Sequence, residues 1–209
     1  MGLKLGEDAP NFQASSTIGD FDLYSFLGQG WGIIFSHPGA FTPVCTTELG
    51  EVARLKDEFD KRNVKVVGLT TDDLEKIQEW VKDINETQQC TVNFPIIADY
   101  SHKIASMYGM IHPNASATFT VRSLFILSPN KEVKLKITYP AALGRNFTEI
   151  LRAIDGLQLS KEHAVVLPAN WKQGEDVIVA PQLPDDVAQL RFPKGIKRIK
   201  SYLRYTPQP

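Results

Sequence analysis

The chain has 209 residues, 43% of them hydrophobic and 22% charged, with 23 Lys and Arg against 24 Asp and Glu for a formal net charge of −1. That length accommodates one well-buried core and a smaller accessory unit, and the near-neutral balance gives no electrostatic reason to expect nucleic acid or an anionic membrane as partner. No apolar run approaches the length of a membrane span, and the opening MGLKLGEDAPNF lacks the basic-then-apolar pattern of a secretory leader; with only two cysteines in the chain, a cytoplasmic or other reducing compartment is the expectation.

The segment from Phe12 to Leu27 reads as short extended pieces around a turn at Gly19-Asp20. Trp31–Ser36 is nearly continuous apolar sequence, the pattern of a strand covered on both faces. After the loop HPGAFTPVC, the stretch TTELGEVARLKDEFDKR has helical spacing, with Thr46 or Thr47 as candidate caps. Val64–Leu69 reads as a second buried strand. Asp72 with Glu75 has the form of a capping box, opening a helix with Leu74, Ile77, Trp80, Val81 and Ile84 on one stripe. A short strand at 95–98 and a short helix at 101–108 follow, the helix stopped by Gly109. Residues 119–127 and 133–138 flank SPNK and predict a hairpin, and Asn146 with Glu149 starts another helix.

Strands alternating with helices, then a hairpin and a helix, mean an α/β sheet with an antiparallel portion. After about Val165 the composition changes, with prolines at 168, 181, 184, 193, 207 and 209 and the basic run KGIKRIK. The division expected is 1–165 for the main domain and 166–209 for a small appended one, in which Trp171, Ile178, Leu190 and Phe192 seek burial.

Cys45 and Cys90 are the only cysteines, too few for a disulfide scaffold and without metal-ligand spacing. His37, His102, His112 and His163 are equally scattered, so neither metal nor cofactor is expected. Cys45 follows a buried strand and a proline-containing loop and stands where a helix begins. A thiolate there is favoured by the helix dipole and by first-turn N–H groups. A buried, inert cysteine is the plainer alternative, and position alone does not choose between them.

The flanking residues do. Pro38-Gly-Ala-Phe-Thr42-Pro-Val-Cys45 resembles the Pro-x-x-x-Thr-x-x-Cys motif of the peroxiredoxins, with IIFSHP before it and TTELG after it. YPAALGRNFTEILRAIDGLQL and the closing YLRYTPQP resemble the one-cysteine, type 6 members, so the likeness runs along essentially the whole chain. It implies a thioredoxin-like fold with a C-terminal dimerisation domain, a homodimer, a hydroperoxide substrate and an external thiol reductant of the glutathione or thioredoxin type. It also implies that Cys45 attacks peroxide and becomes a sulfenic acid. Thr42 resembles the hydroxyl touching thiolate and peroxide, Pro38 the residue shielding them from water, and Arg122 the guanidinium beside the sulfur. Glu48 and Arg145 resemble residues that orient that arginine, and His37 resembles a histidine near the site.

Two departures stand out. Gly39-Ala40 replaces the charged pair usual in type 6 members, and IHPNASATFTVR is shorter than its usual counterpart. Many type 6 members also resemble a lipase through a Gly-x-Ser-x-Gly elbow. Here the elbow is Gly28-Gln29-Gly30-Trp31-Gly32, and the histidine and aspartate positions hold Tyr24 and Asn130, so no phospholipase activity of that kind is expected. No resolving cysteine follows residue 90; Cys90 itself is a candidate resolving thiol, with a structural or incidental role the preferred reading. The competing reading is a redox-sensing binding or chaperone protein in which Cys45 is oxidised without turnover.

Overall fold

Every residue of Trp31–Ser36 (β3) is buried, as a strand flanked on both edges and covered on both faces must be. The structure, a computed structural model, describes residues 2–209. It divides into two compact units, one ending at Phe147 and the other spanning Thr148–Pro209.

In the first unit β3 lies between Val64–Thr70 (β4), to which it runs parallel, and Arg122–Leu127 (β6), to which it runs antiparallel. Beyond β4 come Ile96–Ala98 (β5), Gln13–Ser16 (β1) and Gly19–Asp22 (β2); beyond β6 comes Val133–Tyr139 (β7). The order is β2-β1-β5-β4-β3-β6-β7. Ile34 stands opposite Val67 on one side and Phe125 on the other, so the three central strands share layers of side chains. One face packs Leu23, Leu27, Ile34, Val67, Leu69, Ile97, Tyr108, Phe125 and Leu127 into a continuous core. Burying each such side chain contributes about 1.5–3 kcal/mol.

The helices of this unit are Leu23–Leu27 (α1), Pro43–Arg54 (α2), Lys56–Lys61 (α3), Leu74–Thr87 (α4) and Lys103–Met107 (α5). Several sequence expectations shift. The first hairpin turns at Thr17-Ile18, because Ser16 pairs with Gly19, and residues 23–27 are helical, capped by Asp22 accepting from the Ser25 amide. The N-cap is Asp73, whose carboxylate accepts from the Lys76 amide; Lys76 stands at the third helical position, so no capping box forms and Asp72 is freed for other partners. The reading of one helix after the Pro-rich loop gives way to two, α2 and α3, meeting at Leu55. Strand β6 begins only at Arg122, and Phe119 is exposed. The β6–β7 hairpin forms as expected, Arg122 opposite Tyr139.

The second unit holds Phe147–Glu162 (α6) apart from its first residue. It continues as Val165–Val166 (β8), Val177–Val179 (β9), Asp185–Arg191 (α7), Lys197–Lys200 (β10) and Leu203–Thr206 (β11), the strands ordered β10-β11-β9-β8. Trp171, Val177, Val179, Ala188 and Phe192 form its core. Leu190, expected inside, is 86% exposed, because α7 presents only Ala188 fully inward. Arg204 is buried; its Nη1 donates to Asp185 and its Nη2 to the carbonyls of Ala180 and Leu183, while its Nε has no partner among the described residues.

Candidate active site

Helix α2 starts one turn earlier than the threonines after Cys45 suggest. Thr42 is its N-cap and Pro43 its first residue, a position that suits proline because no intrahelical N–H partner is lost. Cys45 therefore sits in the first turn, where helix amides lack intrahelical partners, and is fully buried. Thr46 and Thr47 do not cap. Their hydroxyls donate back to the carbonyls of Thr42 and Val44, at 2.8 Å each.

Strand β6 delivers Arg122 to the same place. Its Nη1 lies 3.3 Å from Cys45 Sγ and 2.7 Å from Glu48 Oε2, while Nε and Nη2 both donate to the Ala141 carbonyl, at 3.1 and 2.7 Å. Glu48 is one helical turn beyond Cys45 on α2 and is bound again by Arg145. The Arg145 backbone N and Nε reach Oε1 and its Nη2 reaches Oε2, each at 2.8 Å. Arg145 Nη1 donates to the Ser123 carbonyl at 3.1 Å, and its guanidinium lies 4.8 Å from the centre of the Phe35 ring. Glu48, Arg122 and Arg145 are all nearly inaccessible. Burial pushes the Glu48 carboxyl up, but the hydrogen bonds and charge of Arg145, with the charge of Arg122, outweigh it and hold it below the usual carboxylate range. One carboxylate thus compensates two buried guanidiniums, and the sulfur faces a cation that has no freedom to turn away.

Thr42 and Pro38 flank this centre on the loop. The Thr42 hydroxyl donates to the Gly39 carbonyl at 2.9 Å, and Pro38 is half-buried. His37 ends the buried layer above β3: it is fully inaccessible, its ring 5.2 Å from that of Trp80 and 6.3 Å from that of Phe35. Neither ring nitrogen has a hydrogen-bond partner among the described residues. The seven residues singled out in the sequence thus fall in one region of the first unit. Sequence reasoning missed the Ala141 carbonyl, which fixes the Arg122 fork, and the Ser36 and Thr120 hydroxyls, which tie β3 to the start of β6 through the Val121 and His37 carbonyls. Ala141 lies within YPAALGR, so the segment that carries Arg145 also carries that acceptor. A backbone carbonyl has no side-chain signature by which the sequence could reveal it.

The other thiol and the lipase-like elbow stand apart from these contacts. Cys90 is half-buried; burial pushes its thiol up, against the opposing charge of Arg54. Gly30 is buried, and a Cβ there would come 3.1 Å from the Asn63 carbonyl oxygen. Tyr24 donates its hydroxyl to the Ala9 carbonyl at 2.8 Å. Among the described residues there is no cluster of three or more His, Cys, Asp or Glu able to hold a metal, and no helix long and apolar enough to cross a membrane.

A buried thiol at a helix start, held against a fixed guanidinium, defines a thiol-based redox enzyme. Residues 5–136 match the AhpC/TSA family, and residues 156–195 match the C-terminal domain of 1-Cys peroxiredoxin. The chain is 52% identical to a 1-Cys peroxiredoxin of Dictyostelium discoideum over 207 residues, 99% of this chain and 86% of that one. The fold superposes on a cysteine-to-serine mutant of Peroxiredoxin 6 of Arenicola marina with a TM-score of 0.94 at 44% identity, covering 100% of this chain and 99% of that one. It also matches a yeast mitochondrial 1-Cys peroxiredoxin, whose thiol resolving proceeds via glutathione/thioredoxin systems, with a TM-score of 0.93 at 45% identity, covering 98% and 99%. The chain belongs to the peroxiredoxins, thiol-dependent peroxidases, and has their thioredoxin-like α/β fold followed by the one-cysteine C-terminal domain.

Proposed function

We propose that Cys45 is the peroxidatic residue and that the chain reduces hydrogen peroxide and organic hydroperoxides through a sulfenic acid on that sulfur. The observation that carries this is the 3.3 Å approach of Arg122 Nη1 to a fully buried Cys45 Sγ. The thiolate attacks the terminal oxygen of ROOH. An S–O bond forms as the O–O bond breaks, the sulfur is oxidised by two electrons, and the departing alkoxide takes a proton equivalent to the one the thiol gave up. Negative charge moves from sulfur to oxygen in this step, and a guanidinium already fixed by Glu48 and Ala141 stabilises it without reorganising. Arginine serves here because Nε and Nη2 of its fork are held by the Ala141 carbonyl while Nη1 reaches both the sulfur and the Glu48 carboxylate. Thr42 is the hydroxyl that meets the peroxide, Pro38 limits water, Glu48 and Arg145 orient Arg122, and His37 closes the buried layer behind the loop.

Recycling is assigned to an external thiol, of the glutathione or thioredoxin type, because no second cysteine approaches Cys45 in sequence and Cys90 is held away from ready ionisation by burial. The first thiol attacks the sulfenic sulfur and releases water; a second reduces the mixed disulfide and restores Cys45. A homodimer, with residues 166–209 as its dimerisation domain beside a 1–165 peroxidase domain, and a cytoplasmic setting belong to the same reading.

Turnover of hydrogen peroxide with glutathione or with reduced thioredoxin, wild type beside Cys45→Ser, tests it. Consumption that continues in the variant would remove Cys45 from the reaction.

A further inference from the structure

Asp72, Lys76 and Trp80 are four residues apart and so run down one face of α4 and the turn that leads into it. This face meets the loop that carries Cys45 at two points. Asp72 Oδ2 accepts from the Ala40 amide at 2.7 Å and from the Thr70 hydroxyl at 2.8 Å, while Oδ1 accepts from Lys76 Nζ. Its side chain is only 10% exposed, so the bonds to Ala40 and Thr70 are partly sheltered from water, whereas the Lys76 side chain is 45% exposed. Eight residues on, Trp80 is fully buried and donates Nε1 to the Thr46 hydroxyl at 3.0 Å, and Thr46 donates in turn to the Thr42 carbonyl.

The two anchored positions, 40 and 46, bracket the reactive segment. Between them Phe41 holds a left-handed φ of 56°, a conformation costing of order 1 kcal/mol or more in a bulky residue and kept only where its surroundings enforce it. Thr42 and Cys45 follow directly. The Asp72 carboxylate is the acceptor through which the β4–α4 turn holds the Ala40 amide, just upstream of Phe41. Without the Trp80 donor the first turn of α2 loses its tie to α4.

We infer that Asp72 and Trp80 are positioning residues for the peroxide reaction, a two-point brace from α4 that fixes the loop around Cys45 and keeps the sulfur covered. The inference rests on Cys45 being the peroxidatic residue. The brace acts through backbone and hydroxyl, touching neither sulfur nor peroxide.

The test uses the full chain with Asp72→Ala, Asp72→Asn and Trp80→Phe, the last keeping ring volume while removing the N–H. Two quantities are read: the second-order rate constant for hydrogen peroxide in single turnover, and the rate of Cys45 alkylation by iodoacetamide, mapped by peptide mass. Asp72→Ala is expected to lower the peroxide rate about ten-fold or more while accelerating alkylation. Asp72→Asn keeps a carbonyl oxygen for the Ala40 amide and should recover most of both values. Trp80→Phe should move both in the direction of Asp72→Ala. Wild-type values of both quantities in Asp72→Ala, or an Asn variant no better than Ala, would overturn the brace. A wild-type protein that fails to consume peroxide would sink the reading of Cys45 instead, and the alkylation rates would still decide whether the brace exists.

Discussion

Arg145 grips the Glu48 carboxylate with three donors, its backbone N, Nε and Nη2, each at 2.8 Å, and so leaves Glu48 one fixed direction in which to hold Arg122. The residue that touches sulfur is thus set by two residues that do not. The arrangement is costly to disturb, since removing one partner of a buried charge set leaves the others uncompensated.

Glu48→Gln should therefore damage both folding and chemistry. Two buried guanidiniums lose their counter-charge, and a loss of about 3–5 kcal/mol is expected in denaturant unfolding. The rate constant for hydrogen peroxide should fall with it, because Arg122 is no longer aimed at Cys45. An unfolding midpoint equal to wild type would show that the carboxylate is not the keystone of this cluster.

Arg122→Lys separates charge from shape. Lysine keeps one positive charge but cannot donate at once to Ala141, Glu48 and the sulfur, as the guanidinium does. The expected result is a peroxide rate about 10²-fold lower with the fold retained by circular dichroism. Wild-type rates would mean that charge alone suffices.

His37 makes stability depend on pH with a definite sign. Burial, reinforced by the charges of Arg145 and Arg122 and opposed by those of Glu48 and Asp72, lowers its pKa from 6.5 to about 3. The unfolded chain takes a proton below pH 6.5 that the folded protein refuses. This stability is fully present above pH 6.5 and is lost as pH falls from there toward 3, at up to about 1.4 kcal/mol per unit. The difference in unfolding free energy between wild type and His37→Phe, measured at pH 7.5, 6.5 and 5.5 (about the range in which an unperturbed histidine titrates), should shift against wild type at the lowest value. A difference independent of pH would place the imidazole in contact with water.

Cys90→Ser should leave the first oxidation untouched. Its thiol is pushed up by burial, which disfavours the thiolate at neutral pH. A slowed first step in this variant would give Cys90 a part in the chemistry.

Much of this was legible beforehand because chemistry and periodicity coincide. The strand Trp31–Ser36 is apolar up to its last residue, so its central place follows from composition, and the loop motif places Pro38, Thr42 and Cys45 together. Arg122, Glu48 and Arg145 came from resemblance, since 74 residues separate Glu48 from Arg122 and no local pattern joins them. What stayed hidden depended on backbone geometry. The threonines after Cys45 looked like caps, yet Pro43 has a ring suited to the first helical position and moves the start back to Thr42. Asp72 looked like a cap as well. Asp73 takes that role, and only the fold brings Asp72 to the Ala40 amide, 32 residues away in sequence. Leu190 lies outside the core although its residue type argued for burial, because a helix as short as α7 turns only part of its surface inward.

The central claim is that one sulfur carries the reaction, and one measurement addresses it directly. One equivalent of hydrogen peroxide is added to the fully reduced protein, and intact mass and mapped peptides are read within seconds for wild type, Cys45→Ser and Cys90→Ser. A gain of one oxygen atom at Cys45 in wild type and in Cys90→Ser, with none in Cys45→Ser, is the predicted result. Oxygen appearing first at Cys90, or a Cys45 that stays reduced while peroxide disappears, would contradict the account.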